Sequence, residues 1–403
     1  MAIRRGPFEF VEFRALWFAR GLSLLGDQLA RVAVTVLVYD RTDSPALTGL
    51  AYALTFLPYL AGPLLAGVAD RRPRRTVIVA LDLARALTVA VMALPGIPLP
   101  VMIGLLVAVT AASPVYDAAR SAMLPELLPA ELYPTGLGIF TITTEGAQVV
   151  GFAVGGVLVA AVGAAPALYI DALSFLAAAI AVMVAVRPRA AATQLSCGGA
   201  HLRATFTLIT QSPVLRRLLA LAGLNALWMV PEGLAAPYAA DLHGGPAAVG
   251  LLLAAIPLGC VVGAGALVRF TSHETRLRWM LPLAACTGLP LMLCAARPGL
   301  LLTLVLWTLC GAGTAYNVSA NAAYVAALPN TCRSQGIAIA SAGMVTGQGL
   351  AALLAGITAS AIAPWYVVGA AGAIAVIAVA TMALVPALRG VGHALEHAVP
   401  QRP

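Results

Sequence analysis

The chain has 403 residues, of which 61% are hydrophobic and only 10% charged; its formal net charge is +8 and its mean hydropathy +0.93. A soluble domain is roughly 45–50% apolar and about a quarter charged, so this excess is too large for a water-facing surface and the solvent must be lipid. A nucleic-acid role is excluded as well, because the positive charge is spread through short loops and not gathered on one face.

In chain order, a membrane helix needs about 20 mostly apolar residues. Twelve stretches qualify: 13–39, 46–69, 76–95, 99–119, 136–162, 166–186, 214–240, 247–270, 279–296, 299–322, 336–360 and 364–388. They are called spans 1 to 12 below. Turn formers separate them, among them Ser44-Pro45, Pro95-Gly96, Gly163 to Pro166, Gly244-Gly245-Pro246, Pro298-Gly299 and Ala363-Pro364. No cleavable leader is expected, since the first apolar stretch is studded with charge. The basic residues are all arginine. Arg20, Arg31 and Arg85 fall inside spans, Arg41 and Arg297 fall on one side, and every other arginine falls on the opposite side. Positive charge marks the cytoplasmic face, so both termini are expected inside the cell. The plasma membrane is the expected location, with short, nearly featureless outer loops.

The expected fold is therefore an all-α integral membrane protein: a bundle over 1–186, an inter-bundle loop over 187–212, a second bundle over 213–388 and a cytoplasmic tail over 389–403. The loop can lay Leu202, Phe206 and Ile209, with Arg203, along the inner leaflet as an amphipathic helix, or it is a plain linker. The halves repeat each other. Pro45–Leu50 matches Pro246–Leu251, and Gly62 matches Gly263. Arg14 and Gly21 match Arg216 and Gly223. Ala118-Ala119 with Leu124-Pro125 match Ala322-Ala323 with Leu328-Pro329, and Gln148 matches Gln348. Parallel halves place a substrate site at their interface near the bilayer midplane.

The loop between spans 2 and 3 reads Ala66-Gly67-Val68-Ala69-Asp70-Arg71-Arg72-Pro73-Arg74-Arg75. With the twelve spans in two sets of six, it resembles the major facilitator superfamily. That family's loop runs Gly, three residues, Asp, Arg, any, Gly, any or Arg, Arg; here Ala66 and Pro73 replace the glycines. The glycines Gly146, Gly151, Gly155 and Gly156 of span 5 resemble the series that marks antiporters, with Phe152 in place of its proline. Small residues at that spacing also serve ordinary close packing. Segments such as SLLGDQLARVAV, ARSAMLPELLP and YIDALSFL resemble the actinobacterial drug, siderophore and macrolide efflux branch. The resemblance implies a major facilitator fold, a small-molecule substrate and alternating access. It also implies a conformational latch of Asp70, Arg71, Arg74 and Arg75, with Asp117 as the acid at the inner end of span 4. Arg120 is read at that same inner end, where proton-coupled members carry an arginine deeper in the helix.

Ionisable groups near the bilayer centre are costly and tend to be functional or paired. Asp27 stands in span 1 with Arg31 one turn on and Arg20 two turns back, either as a proton or substrate group or as half of an i, i+4 salt bridge. Glu145 in span 5, with no arginine on its own helix, and Glu232 in span 7, after Pro231, are proton-coupling candidates too. Asp82 and Arg85, at i, i+3, read as a structural pair, and Asp171 as a snorkelling or packing acid. Tyr52, Tyr59, Gln148, Asn225, Trp228, Tyr316, Asn317, Asn321 and Gln348 are candidates to line the substrate cavity, alongside the packing roles such residues usually have. The cysteines Cys197, Cys260, Cys286, Cys294, Cys310 and Cys332 are expected free, with no metal-ligand spacing. No cofactor is expected. Energy would come from a proton gradient, and the partners would be substrate, protons and bilayer, around a monomer. There is no phosphate-binding loop with a lysine and no HExxH, and all five histidines fall in loops or tails. The leading expectation is a proton-driven exporter of hydrophobic or amphipathic small molecules. An importer or uniporter of a small metabolite and a non-transporting scaffold are the alternatives.

Overall fold

A computed structural model describes residues 6–60, 72–129, 131–189, 200–329 and 333–384. These form helices, turns and short coils, with no strand among the described residues. The first bundle contains α1 (Val11–Thr42), α2 (Pro45–Leu54), α3 (Leu57–Leu60), α4 (Arg74–Met92), α5 (Leu99–Leu127), α6 (Tyr133–Val162) and α7 (Ala164–Ala185). Then come α8 (Ala200–Gln211), α9 (Pro213–Gly223), α10 (Asn225–Gly233), α11 (Ala235–Asp241), α12 (Pro246–Phe270), α13 (His273–Leu293), α14 (Leu300–Gly313), α15 (Tyr316–Ala327), α16 (Arg333–Ala359) and α17 (Pro364–Leu384).

Among the described residues, ten stretches are long and apolar enough to cross a membrane. Of the other two expected spans, 46–69 runs partly outside the described residues. The remaining one, 76–95, is α4, whose Arg74, Arg75, Asp82 and Arg85 make it too charged for a purely apolar criterion. Spans 7 and 10 are not continuous helices. The stretch around Asn225, Pro231 and Gly233 divides span 7 into α9, α10 and α11. Gly311, Gly313 and Thr314 divide span 10 into α14 and α15. Proline removes an N–H and crowds the preceding turn. At the break the Gly311 carbonyl accepts both the Thr314 N–H, at 3.0 Å, and the Thr314 Oγ1 hydroxyl, at 2.6 Å.

The chain divides into two compact units. One contains Met1–Ser196 with His243–Ala254; the other contains Cys197–Leu242 with Ala255–Pro403. In the first unit, α1 packs on α6 and α7, and α4 packs on α5 and α7. Phe13, Leu16, Ala19, Ile78, Tyr116, Met123, Leu124, Phe140 and Val182 form one continuous buried cluster there. Lipid is as apolar as these side chains, so close packing holds the bundle together more than hydrophobic exclusion does. Backbones approach closely at Gly156 of α6, where a Cβ would come within 2.6 Å of the Gly250 Cα. In the second unit, α13 packs on α14 and α17, and α10 packs on α16. There Gly259 and Gly263 of α12 lie directly on the α14 backbone between Thr308 and Ala312.

The stretch expected to be either a leaflet helix or a linker is a helix, but it docks on protein. α8 packs against α9 and α16. Thr205 and Ile209 are each 2% exposed, and Thr205 Oγ1 donates to Gln335 Oε1 at 2.8 Å. Only Phe206, at 57% exposure, faces outward as expected; the side chains of Leu202 and Arg203 lie outside the described residues.

The internal repeat runs at an offset of 202 and then 201 in its early helices (Gly21 and Gly223, Pro45 and Pro246) and settles at 200 from Tyr116 and Tyr316 onward. α5 and α15 both end on an extended cap, Leu128 and Leu328. A Cβ on Gly136 would strike Leu128, and one on Gly336 would strike Leu328. α7 and α17 begin at Ala164 and Pro364. Gln148 and Gln348 keep this offset. The pairing of Leu124-Pro125 with Leu328-Pro329 is four residues out of register; Leu128-Pro129 is the true counterpart.

Candidate functional site

Buried charge is concentrated in the first unit. Arg20 sits two turns before Asp27 on α1 and is 8% exposed; its Nη2 lies 3.0 Å from Asp117 Oδ1 on α5. Arg120, one turn on from Asp117, approaches the same oxygen at 3.7 Å and lies over the Phe140 ring at 4.7 Å. On α4, Asp82 and Arg85 are 0% and 1% exposed, and Arg85 Nη1 stands 3.7 Å from Asp82 Oδ1. Arg85 Nη2 donates to Ser113 Oγ at 2.9 Å. Moving one such ion out of water costs several kcal/mol, repaid only by close partners. Here the partners are carboxylates, a hydroxyl and aromatic faces.

Asp27 is half-buried and lines a cavity with Arg20, Gln28, Arg31, Thr55, Tyr59, Thr110 and Ser113. Asp27, Arg20 and Arg31, grouped on α1 by spacing, share this cavity, and Tyr59 joins them from α3. The cavity offers about 70 Å³ to water-sized occupants. That holds a few waters or a small polar group, but not a drug-sized molecule, which needs ~300 Å³ or more. Gln28 is 4% exposed and its Oε1 has no hydrogen-bond partner among the described residues. Asp171 lies on the other side of α1. It is 1% exposed, accepts from Ser174 Oγ at 3.2 Å and abuts the backbone at Gly26. It is therefore packed, not snorkelling.

The partnership expected for the loop arginines differs. Asp117 does not meet the loop arginines; it is occupied by Arg20 and Arg120. α5 runs on to Leu127 instead of stopping near 119, so nine further residues carry Glu126 about 13 Å beyond Asp117. Glu126 is the acid that pairs with Arg74, and Arg74 also donates to the Ala122 carbonyl at 2.9 Å. Arg75 donates to the Met183 carbonyl on α7. Asp70 and Arg71 lie outside the described residues. The same extension places Arg120 two turns inside α5, not at its end. Glu145 is half-buried on α6, with no hydrogen bond or ion pair among the described residues, and Gln148 is half-buried one turn on.

In the second unit the polar candidates partly converge. The Asn225 and Asn317 side-chain amides exchange hydrogen bonds at 3.0 Å each way. Tyr316 Oη donates to the Leu221 carbonyl at 2.9 Å, and its ring meets Trp228 edge-on at 5.9 Å. Trp228 and Tyr316 are 5% and 0% exposed. Glu232 is 6% exposed on α10. Asn321 is exposed and Gln348 half-buried. Tyr52 is buried at 3% exposure, with its ring 5.8 Å from Phe56. Tyr52 and Tyr316 thus act in packing and not as open lining. Cys260, Cys286, Cys294 and Cys310 form no disulfide; Cys197 and Cys332 lie outside the described residues. No group of metal ligands forms among the described residues.

Sequence reasoning passed over Tyr116, Ser113, Phe175 and Glu126. The available signal was the run Tyr116-Asp117-Ala118-Ala119-Arg120, which sets an acid and a base one helical turn apart beside an aromatic ring.

The sequence profile of the Major Facilitator Superfamily matches residues 16–296. The multidrug efflux pump Tap of Mycolicibacterium fortuitum is 26% identical over 334 residues, covering 76% of this chain and 78% of the pump. The enterobactin exporter EntS of Citrobacter koseri is 29% identical over 266 residues, 62% of each chain. Among solved structures, a POT family transporter in complex with 5-aminolevulinic acid superposes with a TM-score of 0.73 at 12% identity, covering 94% of this chain and 96% of that one. A bacterial homologue of the iron transporter ferroportin, in an inward-facing state, gives 0.68 at 15% identity, covering 93% and 99%. At such identities these structures speak for the fold alone.

Proposed function

Because the chain belongs to the Major Facilitator Superfamily, and is thus a multi-pass membrane transport protein and not an enzyme, we propose that it exports hydrophobic or amphipathic small molecules across the plasma membrane in exchange for protons. Both termini lie in the cytoplasm in this reading, and the protein works as a monomer by alternating access. The direction of transport is supported by the two relatives above, named as an efflux pump and an exporter. Proton coupling rests on one observation: Asp27 faces a polar, water-sized cavity beside Arg20, Arg31 and Tyr59. A carboxylate wetted on one side and flanked by guanidiniums can take and release a proton, and each change of charge biases the equilibrium between inward- and outward-facing states. Glu145 and Glu232 are the further candidates.

The test uses inside-out vesicles with an acidic lumen, to which ethidium, an amphipathic cation, and erythromycin, a macrolide, are added singly. An antiporter dissipates the pH difference when a substrate enters, and Asp27→Asn, Glu145→Gln or Glu232→Gln abolishes that response. Uptake that ignores the pH difference and all three substitutions would replace antiport by uniport. Absence of uptake for amphipathic compounds, with uptake of a small polar metabolite, would favour the importer reading.

A further inference from the structure

Two arginines in the first unit lie over one aromatic ring. The Arg20 guanidinium carbon lies 5.3 Å from the centroid of Tyr116, and that of Arg85 lies 5.1 Å from it. Arg85 meets a second ring, Phe175, at 5.4 Å. Tyr116 is 0% exposed, and its hydroxyl has no hydrogen-bond partner among the described residues. Its counterpart 200 residues on, Tyr316, is placed differently: that hydroxyl is bonded to Leu221, and its neighbour Asn317 pairs with an amide. In the first unit the ring face, not the hydroxyl, is what Tyr116 uses.

Each arginine belongs to a cluster with its own carboxylates. Arg20 serves Asp117, which it shares with Arg120, and stands on the cavity with Asp27. Arg85 serves Asp82, with Asp171 within electrostatic reach. The charged groups around the tyrosine are Arg20 from α1, Asp82 and Arg85 from α4 and Arg120 on its own helix; Asp117 follows it in sequence and pairs with Arg20, while Asp27 and Asp171 belong to the fields of Arg20 and Arg85.

We propose that Tyr116 is a positioning residue that locks the two guanidiniums against one ring, so that a change of charge at the Asp27–Asp117 cluster is felt at the Asp82–Arg85 pair. The link deepens the antiport reading, on which its use in transport rests; the link itself is measurable without any substrate. A guanidinium moved off a desolvated ring loses an attraction worth up to about thirtyfold in an equilibrium. The ring therefore holds both arginines where their fields overlap, in surroundings too dry to screen them.

The experiment follows proton uptake by the purified full chain in detergent, with pyranine as pH reporter, on stepping from pH 8 to pH 5. Asp117→Asn leaves Arg20 uncompensated, so the midpoint of the remaining uptake moves to lower pH, by about one pH unit or tenfold in proton affinity. Adding Asp82→Asn to both proteins reveals how much of that shift belongs to the Asp82–Arg85 pair. That share persists in Tyr116→Phe, which keeps the ring, and disappears in Tyr116→Leu. If the leucine variant does not fold, Tyr116→Met takes its place. A share that survives loss of the ring, or one that is absent from the native chain, overturns the proposal, as does a Phe variant that behaves like the ring-less one. Vesicle antiport is scored separately, so failure of the transport reading and failure of the ring link give different results.

Discussion

Asp117→Asn is expected to cost more stability than Arg20→Gln, although the two side chains form one ion pair. At 3.0 Å and an effective dielectric of about 20 the pair attracts by about 5.5 kcal/mol, most of it offset by desolvation. A single substitution therefore reads chiefly the ion it leaves behind. With Asp117 gone, Arg20 remains buried, its side chain 9% exposed, and the cost is about 3 kcal/mol. With Arg20 gone, Asp117 is 31% exposed and keeps Arg120 at 3.7 Å, so the cost is about 1 kcal/mol. The double variant leaves neither ion and should cost about 2 kcal/mol. The sum of the singles is about 4, giving a coupling energy of about 2 kcal/mol. The assay is reversible unfolding of each variant in mixed micelles of increasing dodecyl sulfate content, followed by circular dichroism. An Asn variant no less stable than the Gln variant, or a double variant equal to the sum of the singles, would refute the placement of a compensated arginine inside the bundle.

Two further substitutions test the packing on either side of the repeat. Gly26→Ala drives a Cβ into the Asp171 carboxylate and the Ser174 hydroxyl; it should destabilise by about 1–3 kcal/mol, with Ser174→Ala restoring part of the loss in the same unfolding assay. Asn225→Ala strips Asn317 of its reciprocal amide partner. It should cost about 1–3 kcal/mol, against a smaller penalty when both are replaced by alanine; equal losses in the single and double variants would remove the amide pair from the account.

The element plan was legible because hydrocarbon tolerates so few chemistries. An apolar run of the right length has to be a helix, since nothing else satisfies its backbone in lipid. Turn formers such as Pro298-Gly299 mark where each run stops. The buried charges were legible one by one for the same reason. Their partners were not. The Asp82–Arg85 contact, at 3.7 Å, is one that helical spacing alone offers, since it puts i and i+3 side by side. Asp117 was given to the loop arginines because the apolar run ends near 119, whereas the helix runs on through polar residues to Leu127 and delivers Glu126 instead. Glu126 gave no signal of its own, since an acid near a helix end is an ordinary residue until a neighbour is known; Tyr116 is marked only by the Asp117 and Arg120 that follow it.

Composition, hydropathy and the arginine distribution by themselves determined the membrane class, the helical architecture and the approximate boundaries, because each depends on residues close in sequence and on the solvent around them. The 200-residue repeat was visible in outline, but its register was decided by Leu128 and Leu328 closing against Gly136 and Gly336. Tertiary structure alone decided which arginine answers which aspartate. It also decided that Asp27 lines a polar cavity while Asp171, the eighth residue of α7, is sealed against Gly26. The physical reason is that burial and pairing energies depend on side chains from different helices meeting within a few ångströms, and helices facing each other across a bundle leave no periodic trace of that meeting in either sequence.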